Sequence, residues 1–375
     1  FQKMLDVEIT ICEAWNKKGV ISDKDLENIK NKAKVDIKDI RRREETTRHE
    51  TVAFVESISA KVGKSGKYIH FGVTSSDILD TAQSIQIRDS LTIILKSAKE
   101  FQKILLNKAK EYKHLIMIGR THGMHAEPIT LGFKFLVWYD ELDRDIKRIE
   151  NAIDSISYGK ISGSVGTYSH TDPDIEKYVC TKLKLKPAKI STQILQRDIY
   201  CDVIYSATML GNSLEKIALE IRHLHRTEID EVKESFAQGQ KGSSSMPHKQ
   251  NPITCERICG QARVLRGYLM ISLENTALWH ERDMSHSSAE RVIIPDSLTL
   301  IHFMLNDMTS VITNLVVKED KIQDNLKIEK EKIFSQSIML ELVLKGMDKD
   351  KAYDIVQKAS FEKDSPFIDT ILKNK

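Results

Sequence analysis

The segment Gly242-Ser243-Ser244-Ser245-Met246-Pro247-His248-Lys249-Gln250-Asn251-Pro252 carries more chemistry than any other in the chain. Its hydroxyls and backbone N–H groups offer hydrogen bonds to an anion, and Lys249 adds a full positive charge. Asn251 followed by Pro252 reads as an N-cap and a first helical residue. The helix behind them would then present free N–H groups and a positive end to a carboxylate or phosphate. A flexible serine-rich linker is the other reading, although linkers rarely run into a capped helix. A serine here is also a candidate base. Its hydroxyl holds its proton tightly, so ionising it requires positive surroundings and exclusion of water. Lys249 and the helix end supply the first condition, closure of the loop the second. No Gly-x-Ser-x-Gly elbow marks an acyl-transfer serine.

Gly119-Arg120-Thr121-His122-Gly123-Met124-His125-Ala126-Glu127-Pro128 holds a second constellation. Histidine is the natural proton donor near neutral pH. His122 and His125 stand three apart, so proton transfer, metal ligation and a structural role are all open from the residues alone. No HExxH and no cysteine partner supports a metal. The runs His70 to Asp77 and Arg48-His49-Glu50 bring hydroxyls and histidines to predicted helix starts. There Thr74 and Ser75 serve equally well as caps, and Arg48 and His49 as a solvated face. In Trp279 to Arg291, Ser287 and Arg291 at i and i+4 share one helical face. Together they suit a phosphate, which the arginine fork fits; surface ion pairs at Glu281–Arg282 and Glu290–Arg291 are the alternative. Gly63-Lys64-Ser65-Gly66 lacks P-loop spacing, and Gly163-Ser164-Val165-Gly166 follows no strand–turn–helix pattern. Nucleotide folds are therefore discounted, and no cofactor is called for.

Long helices are expected to position these segments. Leu131, Phe135, Trp138, Leu142, Ile146, Ile149 and Ile153 advance by three or four and trace one face. Similar stripes run through Ala98 to Tyr112, Leu210 to Leu224 and Ile301 to Leu315. Alternating strand patterns are scarce. The 375 residues include 16 glycines and 7 prolines, well under the usual shares of roughly 7% and 5%. Few turn-formers favour long helices over sheets, and apolar stripes on several of them suggest a bundle, completed in part by other subunits. The reactive segments fall in the connections, including the loop 238–252. Boundaries are expected near residues 92 and 345, giving segments 1–92, 93–345 and 346–375. Lys and Arg number 57 against 54 Asp and Glu, a net charge of +3. That excess is too even to argue for nucleic acid or a membrane surface. Five scattered cysteines form no CxxC pair, which fits a reducing cytoplasm. No run reaches the roughly 18 apolar residues of a membrane span. The chain opens on Phe1 and closes on a polar run, so both natural ends are expected to lie beyond it.

With these residues in view, Gly242 to Pro252 resembles the mobile signature loop of the fumarase/aspartase superfamily. Thr47-Arg48-His49, His70 to Thr81, Gly119 to Pro128, Ser191 to Asp198 and Trp279 to Arg291 then resemble, in order and over essentially the whole chain, the bacterial-type adenylosuccinate lyase family. The resemblance implies an all-α fold: a small N-terminal domain, a central long-helix bundle and the start of a C-terminal helical domain. It also implies a cytoplasmic homotetramer with a twenty-helix core, each active site drawing on three subunits. The implied reaction is β-elimination of fumarate from adenylosuccinate, giving AMP, and from the succinylated aminoimidazole carboxamide ribotide (SAICAR), giving its amide (AICAR). No cofactor, metal, nucleic acid or membrane partner is implied.

Carried over residue by residue, Ser243 matches the general base and His122 the general acid. Lys249 and Asn251, with Ser244 beside them, match residues holding the succinyl part. Arg48, His49 and His70 match residues near the substrate, Thr74 and Ser75 carboxylate-binding residues, and Gln193 a substrate-binding amide. Arg282, Ser287 and Arg291 match the phosphate end. Arg257 fits a further substrate arginine, and Glu256 a carboxylate following the loop. Glu50 stands where aspartate is commoner, Gln250 where arginine is, and Ser245 where alanine is. The family's N-terminal Arg-Tyr phosphate-binding pair is expected ahead of Phe1. Argininosuccinate lyase, carboxymuconate cycloisomerase and an inactive helical assembly protein are the competing readings. The retained Ser243, His122 and Lys249 speak against the last.

Overall fold

The computed structural model describes residues 1–363 and 365–373. Asn374 and Lys375, with which the expected C-terminal segment ends, lie outside the described residues. Among the described residues the helices are α1 (Gln2–Lys17), α2 (Asp23–Lys32), α3 (Ile37–Thr47), α4 (Glu50–Val62), α5 (Ser75–Glu111), α6 (Leu131–Ile156), α7 (Pro173–Lys182), α8 (Asp198–Leu224), α9 (Ile253–Glu274), α10 (Ser285–Thr313), α11 (Glu319–Leu326), α12 (Ser335–Leu344), α13 (Lys349–Phe361) and α14 (Phe367–Lys373). The fold is all-α in character, as expected. The β-structure consists of one antiparallel hairpin, β1 (Ile116–Thr121) with β2 (Met124–Thr130), and four two-residue strands. No described helix is long and apolar enough to cross a membrane.

The apolar stripes became buried faces. Phe101 and Leu105 on α5, Phe135 on α6, Leu210 and Leu214 on α8 and Ile301, Leu305 and Met308 on α10 are fully enclosed. Each such side chain contributes about 1.5–3 kcal/mol by leaving water. The helix starts carry local signals too. Asp36 accepts the Asp39 N–H and Asp172 the Asp174 N–H, each capping the helix that follows. Helix α5 is continuous through residue 92, whereas Lys345 and Gly346 form a turn between α12 and α13.

Close contacts divide the chain into two units that interleave along the sequence. The first comprises Phe1–Lys99, Arg144–Asn212 and Gly260–Leu305. Its core joins α1, α4 and the start of α5 to Ile161, Ile175 and Val179. A fully buried ion pair, Asp77 with Lys160, lies beside that core. Asp77 sits in the first turn of α5 and also accepts the N–H groups of Ser162 and Gly163, so one carboxylate fastens the Gly159–Tyr168 segment to a helix start. Burying such a pair is tolerated because every oxygen is hydrogen-bonded. The second unit comprises Glu100–Asp143, Ser213–Cys259 and Asn306–Lys375. In it Phe135 packs edge-on against Trp138 and stacks with Tyr112.

Candidate active site

His122 occupies the tip of the β1–β2 hairpin. The two turn residues, His122 and Gly123, both have positive φ, 56° and 80°, as a tight two-residue hairpin turn requires. The turn holds the imidazole out into solvent at the end of a braced ribbon. Arg120 braces it with two parallel bonds to the fully buried Glu231, at 3.0 and 2.7 Å. Asn325 donates to the same carboxylate, and Gln323 donates to the Ile116 carbonyl. His125 lies half-buried on β2, where burial, reinforced by the Arg120 charge, pushes its pKa down. The hairpin was not anticipated from sequence. The His-Gly pair between short apolar runs is the signal that marks it.

In the loop before α9, the Ser243 hydroxyl oxygen accepts the N–H groups of Ser245 (3.2 Å) and Met246 (3.1 Å). Two donors aimed at one oxygen favour negative charge on it. The loop folds back on itself: Asn251 donates its side-chain amide to the Gly242 carbonyl at 2.9 Å. A Cβ at Gly242 would overlap the Lys249 carbonyl oxygen, so this close approach requires glycine. Here the expected capping is corrected. The Asn251 side chain does not cap α9, although its carbonyl accepts the Ile253 N–H at 2.9 Å; the Glu234 carboxylate is the cap, accepting from Thr254 (3.2 Å) and Cys255 (2.7 Å). Those N–H groups are therefore not free for a substrate anion, and Lys249 is the positive group the loop offers. Glu234 lies far upstream, beyond the reach of a local capping pattern. Lys249, Asn251 and Glu256 line a cavity of about 750 Å³ together with Arg222 and Arg226. Arg257 is engaged by Asp307 at 2.6 Å, and Ser244 is exposed.

In the first unit, Glu50, Arg282, Ser287 and Arg291 line a second cavity of about 230 Å³. The i, i+4 pair of α10 thus shares a wall, as the spacing required. Arg291 is ion-paired with Glu50, and Arg282 donates to the Gln193 side-chain oxygen at 3.0 Å. His49 is the N-cap of α4, its Nδ1 accepting the Val52 N–H, while Arg48 beside it adopts φ 52° and is exposed. His70 binds Glu8 twice, through its backbone N–H (2.9 Å) and its Nδ1 (2.7 Å). Burial alone would lower the His70 pKa, but the Glu8 hydrogen bond and charge outweigh it, and the pKa is raised. Thr74 donates its N–H to Asp77 ahead of α5, and Ser75 opens that helix. Both are half-buried.

The site residues thus form local groups: one around the 230 Å³ cavity, one in the loop, and His122 alone on its hairpin. Among the described residues no hydrogen bond links His122 with Ser243. No three His, Cys, Asp or Glu side chains among them converge as a metal site. Sequence reasoning passed over Glu8, Glu234, Arg197 and His286. Glu8 had a signal, a carboxylate within the apolar stripe Met4, Ile11 and Cys12.

A family model described as a lyase matches residues 1–267. Adenylosuccinate lyases of Thermotoga maritima, Bacillus subtilis and Aquifex aeolicus are 43%, 46% and 45% identical over 100%, 98% and 100% of this chain, and 88%, 86% and 87% of their own lengths. A solved fumarate lyase from Mesorhizobium sp. BNC1 superposes with a TM-score of 0.90 at 25% identity, over 100% of this chain and 86% of that one. The 3-carboxy-cis,cis-muconate lactonizing enzyme of Pseudomonas putida shares the fold, with a TM-score of 0.89 at 23% identity over the same shares. The chain belongs to the bacterial-type adenylosuccinate lyase family of the fumarase/aspartase superfamily.

Proposed function

We propose that this chain is an adenylosuccinate lyase of purine nucleotide biosynthesis, eliminating fumarate from adenylosuccinate to leave AMP and from SAICAR to leave AICAR. The observation that carries this reading is 43–46% identity to three adenylosuccinate lyases over 98–100% of the chain.

The residues suit the chemistry. The proton beside a carboxylate is weakly acidic, so its removal needs a strong base and a place for the developing charge. Ser243 is the base, its oxygen steadied by two backbone N–H groups. As it takes the β-proton, the C–H electron pair moves toward the neighbouring carboxylate, which becomes an aci-dianion balanced by Lys249. The pair then forms the C=C bond of fumarate, and the C–N pair leaves with nitrogen. His122, on the opposite side, protonates that nitrogen, giving a trans-elimination. Thr74, Ser75, Ser244 and Asn251 hold the succinyl carboxylates. Arg48, His49, Glu50, His70, Gln193, Glu256 and Arg257 surround the remainder of the substrate, and Arg282, Ser287 and Arg291 take the phosphate.

The active unit in this reading is a cytoplasmic homotetramer with shared sites. Phe133 and Leu136 on α6, Met270 and Leu273 on α9 and Phe303 on α10 are exposed apolar side chains that a twenty-helix core would bury. Residues 1–92 are its N-terminal domain, 93–345 its central long-helix domain, and 346–375 the start of its C-terminal helical domain. Fumarate release from adenylosuccinate, SAICAR, argininosuccinate and carboxymuconate tests the reading. Turnover of the first two alone is expected, and no turnover of adenylosuccinate would overturn it.

A further inference from the structure

Arg282 differs from its cationic neighbours in the 230 Å³ cavity. Arg291 is paired with Glu50, and the buried Arg197 holds two carboxylates. Asp80 accepts from Arg197 at 2.8 and 3.1 Å, and Glu290 at 2.9 Å. Arg282, by contrast, donates to no carboxylate: its partners are the Gln193 oxygen at 3.0 Å and His286 Nε2 at 3.4 Å. Among the described residues no carboxylate stands within ion-pair distance of it. Burial, with Arg197 nearby, lowers its pKa against the opposing pull of Asp80 and Glu290, as befits a cation short of a counter-charge.

His286 creates this situation. Arg282 Nε donates to His286 Nε2, while His286 Nδ1 faces the Glu290 carboxylate at 2.9 Å and an Arg197 amino group at 3.4 Å. Glu290 is itself held by Arg197, and Arg197 by Asp80, so the ring is braced through a chain of three buried charges. A carboxylate at position 286 would orient Arg282 but also neutralise it. An imidazole orients it and leaves its charge for a ligand.

We propose that His286 is a positioning residue for substrate specificity: braced by Glu290, Arg197 and Asp80, it aims Arg282 at the substrate's phosphate while keeping that guanidinium uncompensated. This rests on the reading that Arg282 takes the phosphate. It follows that the enzyme's preference for adenylosuccinate over the dephosphorylated nucleoside, succinyladenosine, depends on His286.

KM and kcat for both compounds, measured on the assembled enzyme, test it. His286→Leu is expected to raise KM for adenylosuccinate by about tenfold or more, the scale of losing one hydrogen bond to a charged group. Its kcat and its KM for succinyladenosine should stay near the parent values. His286→Glu should erase the preference equally, by pairing with Arg282. His286→Gln, whose amide both donates and accepts, should stay within about threefold of the parent. Equal losses on both compounds, or a loss of kcat alone, would make His286 merely structural and overturn the proposal. Should His286→Leu fail to assemble, the Glu and Gln variants decide, and a preference unchanged in His286→Glu refutes it. Arg282→Gln separates the two layers. If it leaves the preference intact, the phosphate reading itself fails. If it abolishes the preference while the His286 variants keep it, only the role of His286 fails.

Discussion

Glu8 and His70 illustrate how much one side-chain pair can set. Glu8 is fully buried in α1 and grips both the backbone and the ring of His70, a residue at φ 64° that has left the usual backbone regions. The raised His70 pKa makes the pair a stabiliser of the charged form. Its contribution is complete below the unfolded histidine value of about 6.5 and is lost as pH climbs through the higher folded value. Melting temperature measured from acid to alkaline pH should therefore fall across this window, and Glu8→Gln should flatten that slope. An unchanged slope in the variant would exclude the pair as its source. Ser243 and His122 are a different kind of residue, the first half-buried with two backbone N–H donors on its hydroxyl and the second exposed. Ser243→Ala and His122→Ala should each reduce kcat by a factor on the order of 100 or more while circular dichroism and assembly stay unchanged. Near-parental turnover in either variant would remove that residue from the mechanism.

At the scale of the element, the start of α9 is the instructive case. The Asn251 carbonyl takes the Ile253 N–H, but the next two N–H groups are satisfied by Glu234 and not by the Asn251 side chain, so the helix start is secured partly from outside the segment. Glu234→Ala is expected to lower stability by about 1 kcal/mol, and to speed hydrogen exchange at Thr254 and Cys255. Exchange there that stays at the parent rate would show that another group caps the helix. The β1–β2 hairpin works on the same plan. Its tip is exposed, but Arg120 just behind the turn is fixed on buried Glu231 and Gln323 holds the base at Ile116. On α10, Pro295 lacks the N–H that would bond the Arg291 carbonyl, one turn beyond an arginine that lines the 230 Å³ cavity.

For the whole molecule, the shared-site reading makes a quantitative claim. If Ser243 and His122 of one site come from different protomers, a site in a re-mixed population is intact when each donor chain carries the right residue. Equal mixing of Ser243→Ala with His122→Ala should then restore about a quarter of the parent activity. No recovery after demonstrated subunit exchange would place both residues of a site on one chain. The four apolar stripes were legible in the sequence because helical periodicity is a local code: Phe101, Phe135, Leu214 and Ile301 had to be buried on some partner. The candidate segments stood out too, because stretches dense in small and ionisable residues are poor core. What only the tertiary structure decided is who holds them. Glu8 on His70, Glu234 on α9, Glu231 on Arg120 and His286 on Arg282 are pairings between chain-distant groups. A buried charge takes whichever partner the packed helices bring within hydrogen-bond reach, and nothing in the local spacing of residues encodes that choice.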